Sequence, residues 1–136
     1  MRLWHEDLIP HLPRQQLLGQ HRECCALRGL GWGRSHSTVN YVFRHPRIAL
    51  VAYHMCVMDE MERRGYDYNP LWRNWKYRGM TCSPDVFSRL DLDRYWEYRT
   101  KPHVYPEHNE EYYKECLDNL ARKGINLGEY IGRTEQ

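Results

Sequence analysis

A chain of 136 residues with 41% hydrophobic side chains has the length for one domain (1–136) and the apolar content for one core, which excludes a disordered chain. The formal charge of +2 excludes recognition of nucleic acid by bulk charge alone. Eleven Tyr and five Trp nevertheless stand beside twenty Lys and Arg, side chains that either fill a core or stack on bases and contact phosphates.

In chain order, the start Met1-Arg2-Leu3-Trp4-His5-Glu6-Asp7 lacks the apolar stretch of a leader, and no run of about 18 apolar residues follows. A cytoplasmic protein without membrane contact is therefore expected. The first helix is predicted over Pro13–Arg28, with Pro in its opening turn and Gly29 as its stop. Leu17, Leu18, His21, Cys24 and Cys25 form its apolar stripe. On the opposite face Gly19, Glu23 and Ala26 follow spacings of four and three, so one carboxylate stands between two nearly bare positions. A mid-helix Gly costs about 1 kcal/mol relative to Ala, and the room it leaves would let a backbone or a sugar approach Glu23.

Ser37–Phe43 alternates briefly like a strand, but no partner run is evident. The second helix is predicted over Pro46–Arg64, with Leu50, Val51, His54, Met55, Met58 and Met61 on its apolar side. Ser83-Pro84 is expected to open a short helix through Phe87 and Leu90. The last helix is predicted over Asn109–Lys123, with Asn109 as N-cap, acidic residues in the first turn, and Tyr113, Cys116, Leu117, Leu120 and Ala121 facing inward. The fold class that follows is all-α: one compact domain around three main helices with long irregular connections and an N-terminal arm. Five cysteines without a Cys-x-x-Cys pair fit neither a zinc ribbon nor a disulfide framework, and His21, Cys24 and Cys25 are rejected as a metal site. No metal is expected.

The segment Gln15-Gln16-Leu17-Leu18-Gly19-Gln20-His21-Arg22-Glu23, preceded by Arg2 and followed by Arg28-Gly29, resembles the pyrimidine dimer DNA glycosylase (endonuclease V-like) family. The likeness is close over the first thirty residues and looser over the second helix and Pro106-Glu107-His108. It implies a small helical bundle whose arm passes between helices and delivers the chain's α-amine to the site. The implied activity is excision of one base of a UV-induced cyclobutane dimer in double-stranded DNA, followed by strand cleavage through a Schiff base. No cofactor is implied, a monomer suffices, and in a bacterium the protein would associate with the nucleoid. Arg2 is too large for normal removal of the initiator, so the amine would be that of Met1, with Arg2 matching the arginine that follows the nucleophile.

Elementary chemistry supports those roles. A free α-amine has a pKa of about 7.7–8.0 against about 10.4 for lysine, so part of it is unprotonated near neutrality. Positive charge develops on the sugar as the glycosidic bond breaks, and a fixed carboxylate beside it stabilises that charge and shuttles protons. Met1 and Glu23 are the candidate catalytic groups. Arg22 would grip a phosphate, and by the resemblance Gln15 contacts DNA. The family arginine three residues after the glutamate is Ala26 here, so that contact is either lost or moved to Arg28 or Arg34. His36 matches a family histidine. In Leu71–Gly79, alternating rings and cations suit DNA, with Arg73, Lys76 and Arg78 expected outward and the tryptophans plugging the bundle. The texture recurs in Tyr95–Lys101, where carboxylates make it less suited to DNA. Alternatives are a glycosylase for a different modified base, a non-catalytic nucleic-acid binder of the same fold, and a small interaction protein.

Overall fold

The computed structural model describes residues 2–127. Four α-helices follow in order: α1 Arg14–Arg28, α2 Arg47–Arg63, α3 Arg89–Thr100 and α4 Glu110–Arg122. Short 3-10 turns at Glu6–His11, Asn40–Arg44 and Pro70–Arg73 join them, and the described residues contain no strand. The expected all-α class is observed. Ser37–Phe43 ends in one of these turns, which buries Val39 and Val42 without a β partner.

The centre of the molecule is α2, which packs against α1, α3 and the first 3-10 turn. Its apolar residues exceed one stripe: Ile48 through Met55 are all buried, as are Val57, Met58 and Met61. A helix apolar on nearly every side can only lie inside its neighbours. One wall is α1, and the arm before it is core as well, since Leu3, His5 and Leu8 have no exposed surface. Burying a leucine is worth about 1.5–3 kcal/mol, which ties the arm down.

Two expectations change. The helix forecast from Ser83-Pro84 begins later, because Ser88 and Asp91 form a reciprocal capping box that starts α3 at Arg89. The Tyr95–Lys101 stretch is therefore largely helix, and Tyr95 stacks on Trp75 with ring centroids 3.9 Å apart. On α4, Ala121 is exposed, because the inward stripe follows Tyr113, Cys116 and Leu120.

No helix among the described residues is long and apolar enough to cross a membrane. The five cysteines are free thiols, with Cys24 and Cys116 buried.

Candidate active site

A cleft of about 350 Å³ opens where the arm meets α1 and α4. Arg2 and Trp4 of the arm, Gln15, Gln16, Gly19, Gln20 and Glu23 of α1, Thr38, and Asn119 with Lys123 line it. The α1 positions recur at spacings of three and four, so they form one polar stripe along the helix. Within this cleft Glu23 stands out. Its Oε2 is buried and has no hydrogen-bond partner among the described residues. Buried polar atoms are nearly always paired, so an unpaired carboxylate oxygen on a cleft wall points to a partner that arrives from outside.

Gly19 lines the same wall, one turn before Glu23. A Cβ there would lie 3.7 Å from Nη2 of Arg22, an ordinary contact, so packing within the protein does not require the glycine. Ala26 is exposed and outside the cleft lining.

The arm is held against this wall by polar clamps. The Gln20 carboxamide donates from Nε2 to the Arg2 carbonyl at 3.1 Å and accepts from Trp4 N–H at 2.6 Å. The Tyr53 hydroxyl donates to the Trp4 carbonyl at 2.5 Å, and that of Tyr112 donates to the Leu3 carbonyl at 2.5 Å. Arg2 is paired with Glu115 at 2.9 Å. Met1, the expected source of the nucleophile, lies outside the described residues.

The remaining expected DNA contacts separate into groups. Gln15, Arg22, Arg34, His36 and Lys76 are exposed. His36 accepts or donates at Nδ1 to Thr38 Oγ1 at 3.0 Å, which places it at the edge of the cleft that Thr38 lines. Arg28 lies elsewhere. It is 3% exposed and donates to the carbonyls of Trp72, Asn74 and Tyr77 at 2.9, 2.9 and 3.1 Å. Burial pushes its guanidinium down to about 10. The buried guanidinium is thus spent on pinning the Trp72–Tyr77 loop and does not face solvent. Arg78 returns the contact, donating to the Arg28 and Gly29 carbonyls at 2.9 and 3.1 Å. Gly29 makes that approach possible, since a Cβ there would sit 2.8 Å from the Arg78 carbonyl oxygen. Arg73 pairs with Asp59 at 2.9 Å and Glu62 at 2.6 Å. Of the three cations expected outward in this loop, Lys76 alone is exposed. The tryptophans pack against the core as expected.

Among the described residues, two groups of side chains have the spacing of metal ligands: His21, Cys25 and His54, and His5, Asp7 and His103. In the first, Arg28 Nη1 lies 2.9 Å from His54 Nδ1 and can only donate. His54 Nδ1 is then the acceptor, and its Nε2–H points at His21 Nδ1, 2.8 Å away. The nitrogen a cation would need carries a proton, and a guanidinium sits behind it. Burial, and then Arg28, hold His54 well below the usual histidine range. In the second group, His5 Nδ1 accepts from Asp7 N–H at 3.1 Å. The first group reads as a satisfied hydrogen-bond cluster, whereas in the second His5 Nε2 is buried without a hydrogen-bond partner among the described residues.

The residues missed in the sequence are Trp4, Gln16, Gln20, Thr38, Asn119 and Lys123 in the lining, with Tyr53 and Tyr112 as clamps. Gln16 and Gln20 were readable as part of the polar stripe that contains Glu23. Those on other elements had no local signal.

Neither curated proteins nor solved structures returned a match. The profile described as pyrimidine dimer DNA glycosylase matches residues 1–74, which hold the arm, α1 with Glu23, α2 and the clamp residues Gln20 and Tyr53. With that match over more than half of its length, the chain belongs to the pyrimidine dimer DNA glycosylase family.

Proposed function

We propose that this protein removes a damaged pyrimidine from double-stranded DNA and then cuts the strand, with the α-amine of Met1 as nucleophile and Glu23 as the catalytic carboxylate. The observation that carries the reading is the buried Oε2 of Glu23, without a partner among the described residues, in the cleft that Arg2, the neighbour of Met1, also lines. A carboxylate oxygen left without a partner among the described residues is matched to a charge that exists only when substrate is bound.

The amine lone pair attacks C1′ as the bond from C1′ to the base breaks, and the departing base takes the bonding pair and a proton. The amine loses its own proton, the ring C1′–O4′ bond opens with O4′ protonated, and an iminium joins protein and sugar. Loss of a C2′ proton then expels the 3′ phosphate by β-elimination, and water hydrolyses the imine to free the amine. Glu23 balances the cationic stages and carries protons to O4′ and from C2′. Every group needed is on the chain, so the scheme calls for no cofactor or metal.

Gln15, Arg22, Arg34, His36 and Lys76 are exposed and suited to contact the duplex around the cleft. The substrate we favour is a cyclobutane pyrimidine dimer. The protein would act as a monomer, in the cytoplasm and on the nucleoid of a bacterium.

The test is incubation of the untagged protein with UV-irradiated and undamaged duplexes, with and without borohydride. Nicking and a covalent protein–DNA product confined to irradiated DNA are expected. Irradiated duplex left intact and uncross-linked would remove the assignment.

A further inference from the structure

Gln20 is 1% exposed, a costly setting for a carboxamide unless every polar atom is engaged. Its engagement has a definite pattern. Nε2 takes the carbonyl of Arg2 and Oε1 takes the N–H of Trp4. Those are the two groups that residues i and i+2 of an extended strand present along one edge. Here a side chain supplies the neighbouring peptide, since the described residues form no sheet. The Tyr53 hydroxyl, 3.0 Å from Gln20 Oε1, closes the same edge at the Trp4 carbonyl. The opposite edge is held at Leu3 by Tyr112.

Apolar packing alone could not do this. Burial of Leu3 and Trp4 holds the arm at depth, but hydrophobic attraction has no direction. The carboxamide distinguishes one register from the next, because a slip of one residue would present groups that face the other edge. Gln20 and Glu23 are also neighbours on α1 and line one cleft.

We propose that Gln20, with Tyr112 on the other edge, is a positioning residue for the nucleophile, setting the register of the arm so that the amine one residue before Arg2 meets the sugar beside Glu23. This rests on the function proposed above. Neither side chain exchanges protons with the substrate; each acts through the arm.

The experiment compares untagged wild type, Gln20→Ala, Tyr112→Phe and Glu23→Gln. Single-turnover borohydride trapping is measured at saturating UV-irradiated duplex, alongside DNA affinity and strand cleavage with added methylamine. Gln20→Ala should trap about 100-fold more slowly, with DNA affinity kept. Methylamine, attacking C1′ in place of the arm's amine, should restore part of its strand cleavage and none of that lost in Glu23→Gln. Tyr112→Phe should show the same split to a smaller extent, and it decides the matter if Gln20→Ala does not fold. Wild-type trapping rates in the folded variants, affinity falling in step with trapping, or no rescue by methylamine would overturn the positioning role. Failure of the wild type to trap would instead remove the underlying function.

Discussion

The two long faces of α1 differ in what they leave unmatched. On the face toward Arg28, most polar groups are matched: the terminal nitrogens of its guanidinium meet loop carbonyls and His54, His54 meets His21, and Arg78 answers at the helix end, while Arg28 Nε is buried without a partner among the described residues. On the face toward the cleft, Gln20 is engaged with the arm, but a carboxylate oxygen of Glu23 is buried with no partner among the described residues and a glycine interrupts the helix without a packing reason. Matched groups stabilise a fold, whereas groups left unmatched at a stability cost mark the place where a ligand completes the arrangement. Charge type alone does not tell the faces apart, for Arg28 and Glu23 are both ionisable residues of one helix.

Substitutions can break this contrast. Glu23→Gln should have the largest effect, reducing nicking of irradiated duplex about 10³-fold while leaving the melting temperature equal or higher. A clear loss of stability would mean that Glu23 has a structural partner. Arg28→Met should do the reverse. It leaves loop carbonyls unsatisfied and should cost about 3 kcal/mol in urea unfolding, with DNA affinity of the folded protein unchanged.

Acid should reach the matched face and the arm. Burial lowers His5 to about 4 and also lowers His21 and His54. A histidine depressed in the folded state stays neutral there while its unfolded counterpart takes up a proton near pH 6.5. Stability is therefore full above pH 6.5 and falls as pH drops toward 4, by up to about 1.4 kcal/mol per pH unit for each of the buried His5 and His54. Urea midpoints at pH 7.5 and pH 5 measure it; equal midpoints would contradict it.

Gly19→Ala is the finest probe. The new methyl meets only ordinary contacts, so stability should rise by up to about 1 kcal/mol. The same methyl narrows the cleft and should slow nicking roughly tenfold. A rise in stability without loss of activity would show that the glycine makes no room for the sugar. Smallest of all, Lys76→Ala should flatten the salt dependence of DNA binding by about one phosphate contact, whereas Arg73→Ala, already paired with Asp59 and Glu62, should do less.

How much of this was legible can be judged residue by residue. Helices α1, α2 and α4 were readable because apolar periodicity, proline starts and glycine stops are local. Ser88 and Asp91 carried the start of α3 just as locally, but their capping box competed with the nearby Ser83-Pro84 signal. The arginines were hardest. Arg28, Arg73, Arg78 and Lys76 look alike in sequence, and which of them face solvent depends on carbonyls and carboxylates contributed by other segments.

By itself, the sequence determined an all-helical chain, the stripe bearing Gly19 and Glu23, and a short arm preceding it, since each depends on residues within a few turns of one another. Only the tertiary structure decided that Gln20 and Tyr112 grip the arm, that Asn119 and Lys123 complete the cleft, and that Arg28 is sealed inside. Those outcomes join positions far apart along the chain, and packing alone brings them within hydrogen-bonding distance.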